Sequence, residues 1–164
     1  MIIEGKPDSN FTTYSETRKS ITGFMVFLEG TIIAVKSRMQ KIVALSVTKA
    51  EIIALVQCVQ EMLYVMKVMG SLELKVQKPM IVEVNNKGAV DLAKEWSIGG
   101  GTKHIDVRLM FLRELKEQGT ILVKLIPIDE NKSDIYTRNT DVKTFNQHVK
   151  SLCGVCEYCT LSSW

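Results

Sequence analysis

The order of apolar and polar residues along the chain predicts five strands and at least four helices. Short runs rich in β-branched and aromatic residues, bounded by Gly, Pro or polar clusters, predict strands at residues 2–7, 21–28, 31–37, 80–84 and 120–126. Apolar residues that recur on one side of a 3.6-residue turn predict helices at 49–69, 87–96, 102–118 and 141–152. Residues 129–138 are polar at first and then compatible with a helix.

The predicted helix at residues 49–69 is the most apolar element of the chain. Its polar residues form one narrow stripe, so most of its circumference should be buried. Thr48 and Glu51 have the spacing of a capping box, in which each side chain satisfies an unpaired backbone N–H. Glu51 also lies on the apolar side of the helix, where a carboxylate must be capped, paired with a cation or bound to a metal.

The element order predicts one α/β domain with a five-stranded mixed sheet. Three antiparallel strands come first, and two parallel strands are then added through helices that flank the sheet. Pro7 lacks a backbone N–H, so we expect it at the end of the first strand. Gly119 is the expected end of the third helix.

Bulk properties narrow the class of protein. The chain has 164 residues, 46% of them hydrophobic, and a net charge of +3, which favours polyanions only weakly. Polar residues interrupt its longest apolar run, and its first residues lack the layout of a signal peptide. We therefore expect an intracellular protein with no membrane partner, and the abrupt start suggests a piece of a longer chain.

Four polar positions fall at the ends of predicted elements: Asp8, Glu51, Asn85 and Asp134. Side chains at neighbouring strand ends and helix starts can converge, and hard oxygen ligands are those that Mg²⁺ requires. Two such ions about 3.5–4 Å apart suit phosphodiester hydrolysis. The alternatives remain a turn aspartate for Asp8 and a solvated carboxylate in a first helical turn for Asp134.

Four segments, in this order, resemble the RNase H domain at the end of the Pol polyprotein of copia-type LTR retrotransposons. They read TRKSITGFMVFLEGTIIAVKSRMQKIVALSVTKAEIIALVQ, VEVNNKGAVDLAK, TKHIDVRLMFLRELKEQGTILVKLIP and DENKSDIYTRNT. The resemblance implies an RNase H-like fold, with the domain at residues 1–140 and a C-terminal helix and unmatched tail at 141–164. It also implies hydrolysis of the RNA strand of an RNA/DNA hybrid with two Mg²⁺ or Mn²⁺ ions.

The family's catalytic and metal-binding residues are carried over to this chain one at a time. Its first-strand Asp matches Asp8, its Ala-Glu dipeptide matches Glu51, and its last Asp matches Asp134. The Asp of its Cys-Asp-Asn triplet is replaced by Asn85, which can coordinate through its amide oxygen but carries no charge. Mutation of groups outside the metal ligands typically lowers metal affinity or activity 10–100-fold, and loss of a ligand charge should cost at least as much. We therefore predict a degenerate, impaired nuclease.

Further departures from the family pattern are Lys6-Pro7, Val35, Lys49 and Ile52. Lys49 would place a positive charge beside the site and compete with metal.

Several basic residues are candidate contacts to the phosphates of nucleic acid. These are Arg38, Lys41, Lys103, His104 and Arg108. For each cation, a solvated basic face is the simpler interpretation. For His104, a surface histidine in a first helical turn is simpler than a general acid or base.

Three cysteines crowd the C-terminus at positions 153, 156 and 159, and His148 precedes them. A Cys₃His zinc site is one interpretation. Sequence outside the family match, without a metal, is the other.

Together these observations predict an RNase H-like domain of a retrotransposon polyprotein, with an RNA/DNA hybrid, a reverse transcriptase and other parts of Pol as partners. Its expected location is the cytoplasm, a virus-like particle or the nucleus. The alternative is a non-catalytic nucleic-acid-binding or relic interaction module with the same fold.

Overall fold

A computed structural model describes residues 1–12, 16–94 and 103–153; for Lys103, His104, Ser151 and Cys153 it describes the main chain alone. The strands are β1 (Ile3–Asn10), β2 (Ile21–Leu28), β3 (Thr31–Met39), β4 (Met80–Val84) and β5 (Ile121–Leu125). The helices are α1 (Val47–Ser71), α2 (Lys87–Lys94), α3 (Lys103–Glu117) and α4 (Val142–Cys153). Two short 3₁₀ segments follow β5, at Ile128–Glu130 and Lys132–Tyr136.

The five strands form one mixed sheet in the order β3-β2-β1-β4-β5. β1 pairs with β2 and β2 with β3 in antiparallel fashion, whereas β1 with β4 and β4 with β5 are parallel. The predicted fold class, an α/β domain with three antiparallel and two parallel strands, is confirmed.

Strand β1 does not end at Pro7, as the sequence suggested, but continues through Asp8 to Asn10. Pro7 lies opposite Phe24 of β2, and β4 pairs with β1 only at Glu4 and Gly5. Because Pro7 lies beyond the segment that β4 pairs with, its missing N–H breaks no bond to β4. The main-chain oxygen of Pro7 instead accepts a hydrogen bond from Asn131 Nδ2 at 2.9 Å.

Helix α1 begins at Val47 and is capped by Ser46, so the predicted Thr48–Glu51 capping box is wrong. Ser46 is extended (φ −160°, ψ 161°), and its hydroxyl accepts from the Lys49 N–H at 3.2 Å. An N-cap must be non-helical, and Thr48 already lies inside the helix. Glu51 is therefore not part of a helix cap. The helix also runs through Gly70 to Ser71 rather than stopping at Met69.

The core lies between the sheet and α1, whose sheet-facing side is fully buried. Gly5 permits this packing, because a Cβ there would lie 2.4 Å from Met62 Sδ and 2.7 Å from Cys58 Sγ. By length and hydropathy α1 could cross a membrane, which the sequence analysis had not anticipated. Half of its most apolar window is buried within the protein, as expected for the core helix of a folded domain.

The segment after β5 was predicted to be polar and then helical at residues 129–138. It forms the two 3₁₀ segments, and the second of them packs against β1 and β2. Helix α4 then begins after Asp141, whose carboxylate accepts from the Thr144 N–H at 2.8 Å and from the Thr144 hydroxyl at 3.0 Å. Gly119 ends α3 with a φ of +64°, as predicted.

Candidate active site

The four acidic or amide positions singled out in the sequence lie on four different elements. Asp8 is in β1, Glu51 in the second turn of α1, Asn85 directly after β4, and Asp134 in the second 3₁₀ segment. The carboxylates of Asp8, Glu51 and Asp134 are buried, with exposures of 3%, 4% and 5%. Buried carboxylates must be hydrogen-bonded, paired or bound, so their surroundings decide what this region can do.

Hydrogen bonds connect Asp8 directly to two other parts of the region. Asn85 Nδ2 donates to Asp8 Oδ1 at 3.3 Å, and the Thr137 hydroxyl donates to Asp8 Oδ2. The same hydroxyl oxygen lies 3.1 Å from the main-chain oxygen of Asp134. The structure thus brings Asp8, Asn85 and Asp134 into one cluster although they are far apart in sequence.

A glycine in β2 lets the second 3₁₀ segment approach Asp8. Gly23 pairs with Asp8, and paired residues of antiparallel strands point to the same face of the sheet. A Cβ on Gly23 would lie 2.5 Å from Thr137 Cγ2 and 3.2 Å from Tyr136 Cβ. The absence of a side chain at Gly23 therefore creates the space in which Thr137 reaches the carboxylate.

Glu51 joins the cluster through its electrostatic effect. The pKa of Glu51 is raised to about 8, first by burial and then by the negative charges of Asp8 and Asp134, while hydrogen bonds from Ser9 lower it. Burial likewise raises the pKa of Asp8 to about 6, with Asp134 adding to the increase and the Thr137 hydrogen bond opposing it. Burial therefore disfavours the charged forms of Asp8 and Glu51.

We expect the domain without divalent metal to lose stability as the pH rises. The folded-state pKa of Glu51, about 8, lies above its ordinary value of 4.5, so the folded state binds more protons between those pH values. Stability from this group is full at pH 4 and is lost as the pH rises through about 8. Asp8 adds a loss that is complete near pH 6.

The measurement is the thermal midpoint in EDTA from pH 4 to pH 8.5, for the native chain and for Glu51→Gln. The native chain should lose at least about 1 kcal/mol more than the variant, since one pKa unit corresponds to about 1.4 kcal/mol. Glu117→Gln, at the exposed end of α3, removes the same charge and should follow the native curve. Parallel curves for all three proteins would contradict the prediction.

Three buried oxygen atoms of the cluster accept no hydrogen bond from the described residues: Glu51 Oε2, Asn85 Oδ1 and Asp134 Oδ1. All three are hard oxygen ligands of the kind that Mg²⁺ and Mn²⁺ prefer, so the chemical nature of these atoms suits such ions. Within the described ranges, however, no three His, Cys, Asp or Glu side chains are grouped closely enough to hold a metal ion. Arg138 already occupies part of Asp134, because it donates to Asp134 Oδ2 through Nε at 3.1 Å and through Nη2.

Three of the predicted phosphate contacts, Arg38, Lys41 and Arg108, lie together on a groove of about 730 Å³. The groove is on the far side of α1 from Glu51. Cys58 and Met62, about two and three turns after Glu51, face Gly5 of the sheet, whereas Gln60, about 2.5 turns after Glu51, lines the groove. The side chains of Lys103 and His104 lie outside the described residues.

Sequence reasoning missed two side chains that hold the cluster together, Thr137 and Arg138. Arg138 stands four residues after Asp134, a spacing typical of ion pairs, so its role had a visible signal. Thr137 had none, because its partner Asp8 is 129 positions away.

His148 was considered only as a zinc ligand. It lies buried in α4 beside a cavity of about 460 Å³ that Asp134 and Arg138 also line, and its Nε2 has no hydrogen-bond partner among the described residues. Cys156, Cys159 and the Cys153 side chain lie outside the described residues, so the zinc interpretation of the tail stays a prediction.

No protein-family model matches the chain. Among known proteins, the chain is 35% identical over 137 residues to the retrovirus-related Pol polyprotein from transposon TNT 1-94 of Nicotiana tabacum, a match that covers 84% of this chain and 10% of the polyprotein. It is 24% identical over 148 residues to the Pol polyprotein from transposon RE1 of Arabidopsis thaliana, covering 90% of this chain and again 10% of the relative. The chain thus spans about a tenth of the length of these relatives.

Solved structures with a similar fold are RNase H domains. LC11-RNase H1, isolated from compost, superposes with a TM-score of 0.61 at 14% identity, covering 83% of this chain and 92% of that one. The same enzyme in complex with an RNA/DNA hybrid also gives 0.61, at 14% identity and with 82% and 93% covered. RNase H1 from Halobacterium salinarum gives 0.57 at 15% identity, with 84% and 95% covered. The chain therefore has an RNase H-like fold, and its sequence is similar to a segment of the retrovirus-related Pol polyproteins of plant transposons.

Proposed function

We propose that this domain cleaves the RNA strand of RNA/DNA hybrids weakly, at the cluster of Asp8, Glu51, Asn85 and Asp134. The observation that supports the proposal is the cluster itself, in which three buried oxygen atoms lack a hydrogen-bond donor. A structural relative, LC11-RNase H1, has been crystallised with an RNA/DNA hybrid, which supports the choice of substrate.

Mg²⁺ or Mn²⁺ ions held by these four residues would activate a water molecule and stabilise the leaving oxygen. Asp8 and Glu51 must lose their protons to act as ligands, so metal binding should release protons near neutral pH. The Thr137 hydroxyl fixes the orientation of Asp8, and Asn85 Nδ2 holds its other oxygen.

Two features of this chain support impaired cleavage. Asn85 supplies an amide where the family supplies a carboxylate, so the site has one anion fewer for divalent ions. Arg138 already neutralises Asp134, and a metal must displace that guanidinium to use both carboxylate oxygens. Both effects lower metal affinity, and we propose copia-type descent with a degenerate site as their origin.

The test is cleavage of a labelled RNA/DNA hybrid with Mg²⁺ or Mn²⁺ by the native chain and by Asp8→Asn. We expect slow cleavage by the native chain and at least a tenfold loss in the variant, which keeps the size of the side chain but removes a ligand charge. A DNA duplex of the same sequence serves as the control substrate. Rapid cleavage by the native chain would contradict impairment, and equal rates for both proteins would contradict the proposed site.

The second candidate is a nucleic-acid-binding module with no catalytic activity. The observation that favours it is that groups of the chain itself already hold Asp8 and Asp134: Thr137 and Asn85 bind the first, and Arg138 binds the second. Hybrid binding without cleavage under any divalent ion would support this candidate. In either case we propose an intracellular role beside a reverse transcriptase and the other parts of a Pol polyprotein.

A further inference from the structure

A groove outside the cluster runs between β3, α1 and α3, and we call it the β3–α1–α3 groove. Its volume is about 730 Å³, within the range of pockets that take drug-sized ligands. The residues that line it are Lys36, Arg38, Met39, Lys41, Ile42, Ile53, Val56, Gln57, Gln60, Glu61, Val107, Arg108 and Phe111.

The rim of this groove is strongly basic. Among the described residues that line it are four cations, Lys36, Arg38, Lys41 and Arg108, and one carboxylate, Glu61. Lys36 and Arg38 are alternate residues of β3, so they point to the same face about 6.7 Å apart, and Lys41 follows just beyond the strand. The cations of β3 and its end thus form a row, which suits a ligand with regularly repeated negative charges.

The floor of the groove is apolar and includes an aromatic ring. Ile53 and Val56 of α1 are buried beneath it, Phe111 of α3 is partly exposed, and Val107 beside it is 66% exposed. Gln57 and Gln60 add amide groups that can donate and accept hydrogen bonds. A duplex presents its phosphates outward and keeps its base faces stacked inside, so it would leave this floor uncovered.

We infer that the β3–α1–α3 groove binds a single strand of nucleic acid. Single strands are held by basic grooves that follow the backbone together with aromatic and apolar surfaces on which bases stack, and both parts are present here. The groove lies on the opposite side of α1 from Glu51, so this binding is separate from cleavage of a hybrid at the cluster. The inference therefore goes beyond the proposed function and does not depend on it.

The test is fluorescence anisotropy of a labelled 12-nucleotide oligo(dT) with the native chain and with Arg38→Gln/Lys41→Gln, at several salt concentrations. The double variant should lose roughly tenfold in affinity. The slope of log K against log salt should also fall by about 1.4, the value for two phosphate contacts on a single strand. The matched control is Lys75→Gln/Lys124→Gln, which removes two exposed lysines outside the groove and should bind as the native chain does.

A second variant, Phe111→Leu, keeps an apolar side chain on α3 but removes the aromatic ring. It should weaken binding roughly fivefold or more without changing the salt slope, because stacking involves no counterions. Circular dichroism melts of all variants establish that each one is folded.

Equal affinity of the Arg38/Lys41 variant and the control for oligo(dT) would overturn the inference. The inference would also be overturned if the Arg38/Lys41 variant bound an acidic amphipathic peptide more weakly than the native chain does but bound oligo(dT) equally well. That result would identify the groove as a protein-docking surface. Hybrid cleavage measured on the same proteins separates the two proposals. A native chain that binds oligo(dT) through the groove but never cleaves a hybrid refutes the proposed function and leaves this inference intact.

Discussion

Asn85→Asp should increase the rate of hybrid cleavage by about 10–100-fold in the presence of Mg²⁺ or Mn²⁺. The substitution restores an anion at the end of β4, next to Asp8, where the native chain has only an amide oxygen. Additional ligand charge strengthens divalent-ion binding, and groups around a metal site typically change affinity or activity by that factor. The measurement is the initial cleavage rate on a labelled hybrid, titrated with metal.

The same substitution should destabilise the metal-free protein. It replaces the hydrogen bond from Asn85 Nδ2 to Asp8 Oδ1 by repulsion between the buried Asp8 carboxylate and a partly buried one, and the thermal midpoint in EDTA should fall. Added Mg²⁺ or Mn²⁺ should restore the midpoint, since an ion that binds the folded state stabilises it.

The matched control is Asn86→Asp, one residue along, whose side-chain oxygen accepts from the Ala89 N–H at 2.9 Å and can still do so as a carboxylate. Cleavage by the control should stay at the native rate. If Asn85→Asp cleaves no faster than Asn86→Asp at any metal concentration, the cluster is not a metal site.

Gly23→Ala should destabilise the domain by about 1–3 kcal/mol, the usual cost of an added methyl group in a packed interior. Its Cβ would lie 2.5 Å from Thr137 Cγ2, so the second 3₁₀ segment must move away from β2. The thermal midpoint should drop by roughly 2–4 °C for each kcal/mol. Because Thr137 and Asp134 belong to the part that moves, cleavage should fall together with stability.

Alanine substitutions at two other glycines serve as controls. They distinguish loss of stability through a packing clash from a general effect of replacing glycine by alanine. Gly70→Ala lies inside α1, where the new Cβ meets no described atom within 4 Å apart from its chain neighbours and the nearby helix backbone. This change should be neutral or stabilise the helix by about 0.5–1 kcal/mol. Gly5→Ala should destabilise as much as Gly23→Ala by pushing Met62 and Cys58 from the sheet. A Gly23→Ala protein as stable as Gly70→Ala would show that the 3₁₀ segment does not pack as described.

The order of apolar and polar residues was sufficient to predict the bounds of two strands. β2 and β4 match their predicted bounds, and Gly119 ends α3 where a left-handed residue was expected. The first strand was predicted too short because a proline penalises a strand only where its N–H is needed. Whether β4 pairs with β1 next to Pro7 depends on the tertiary structure and cannot be read from the local sequence.

The start of α1 shows how two local signals compete. Ser46 and Thr48 are both good N-cap residues, and the Thr48–Glu51 spacing favoured the second. The backbone at Ser46 is extended, so Ser46 and not Thr48 is the N-cap. The Glu51 side chain is therefore buried and has no capping role. Glu51 is therefore a buried carboxylate without a capping partner, and burial is the main cause that raises its pKa to about 8.

The order of apolar and polar residues predicted the fold class, and the motifs predicted the resemblance to retrotransposon Pol polyproteins, because periodicity and motif spacing are properties of neighbouring residues. Three facts depend on tertiary structure. Thr137 and Gly23 shape the surroundings of Asp8, Arg138 neutralises Asp134, and Arg38, Lys41 and Arg108 line a groove on the side of α1 away from Glu51. The physical reason is that these facts depend on distances between elements far apart in the chain. Those distances are set by how the helices and 3₁₀ segments pack on the sheet, and local propensity contains no information about that packing.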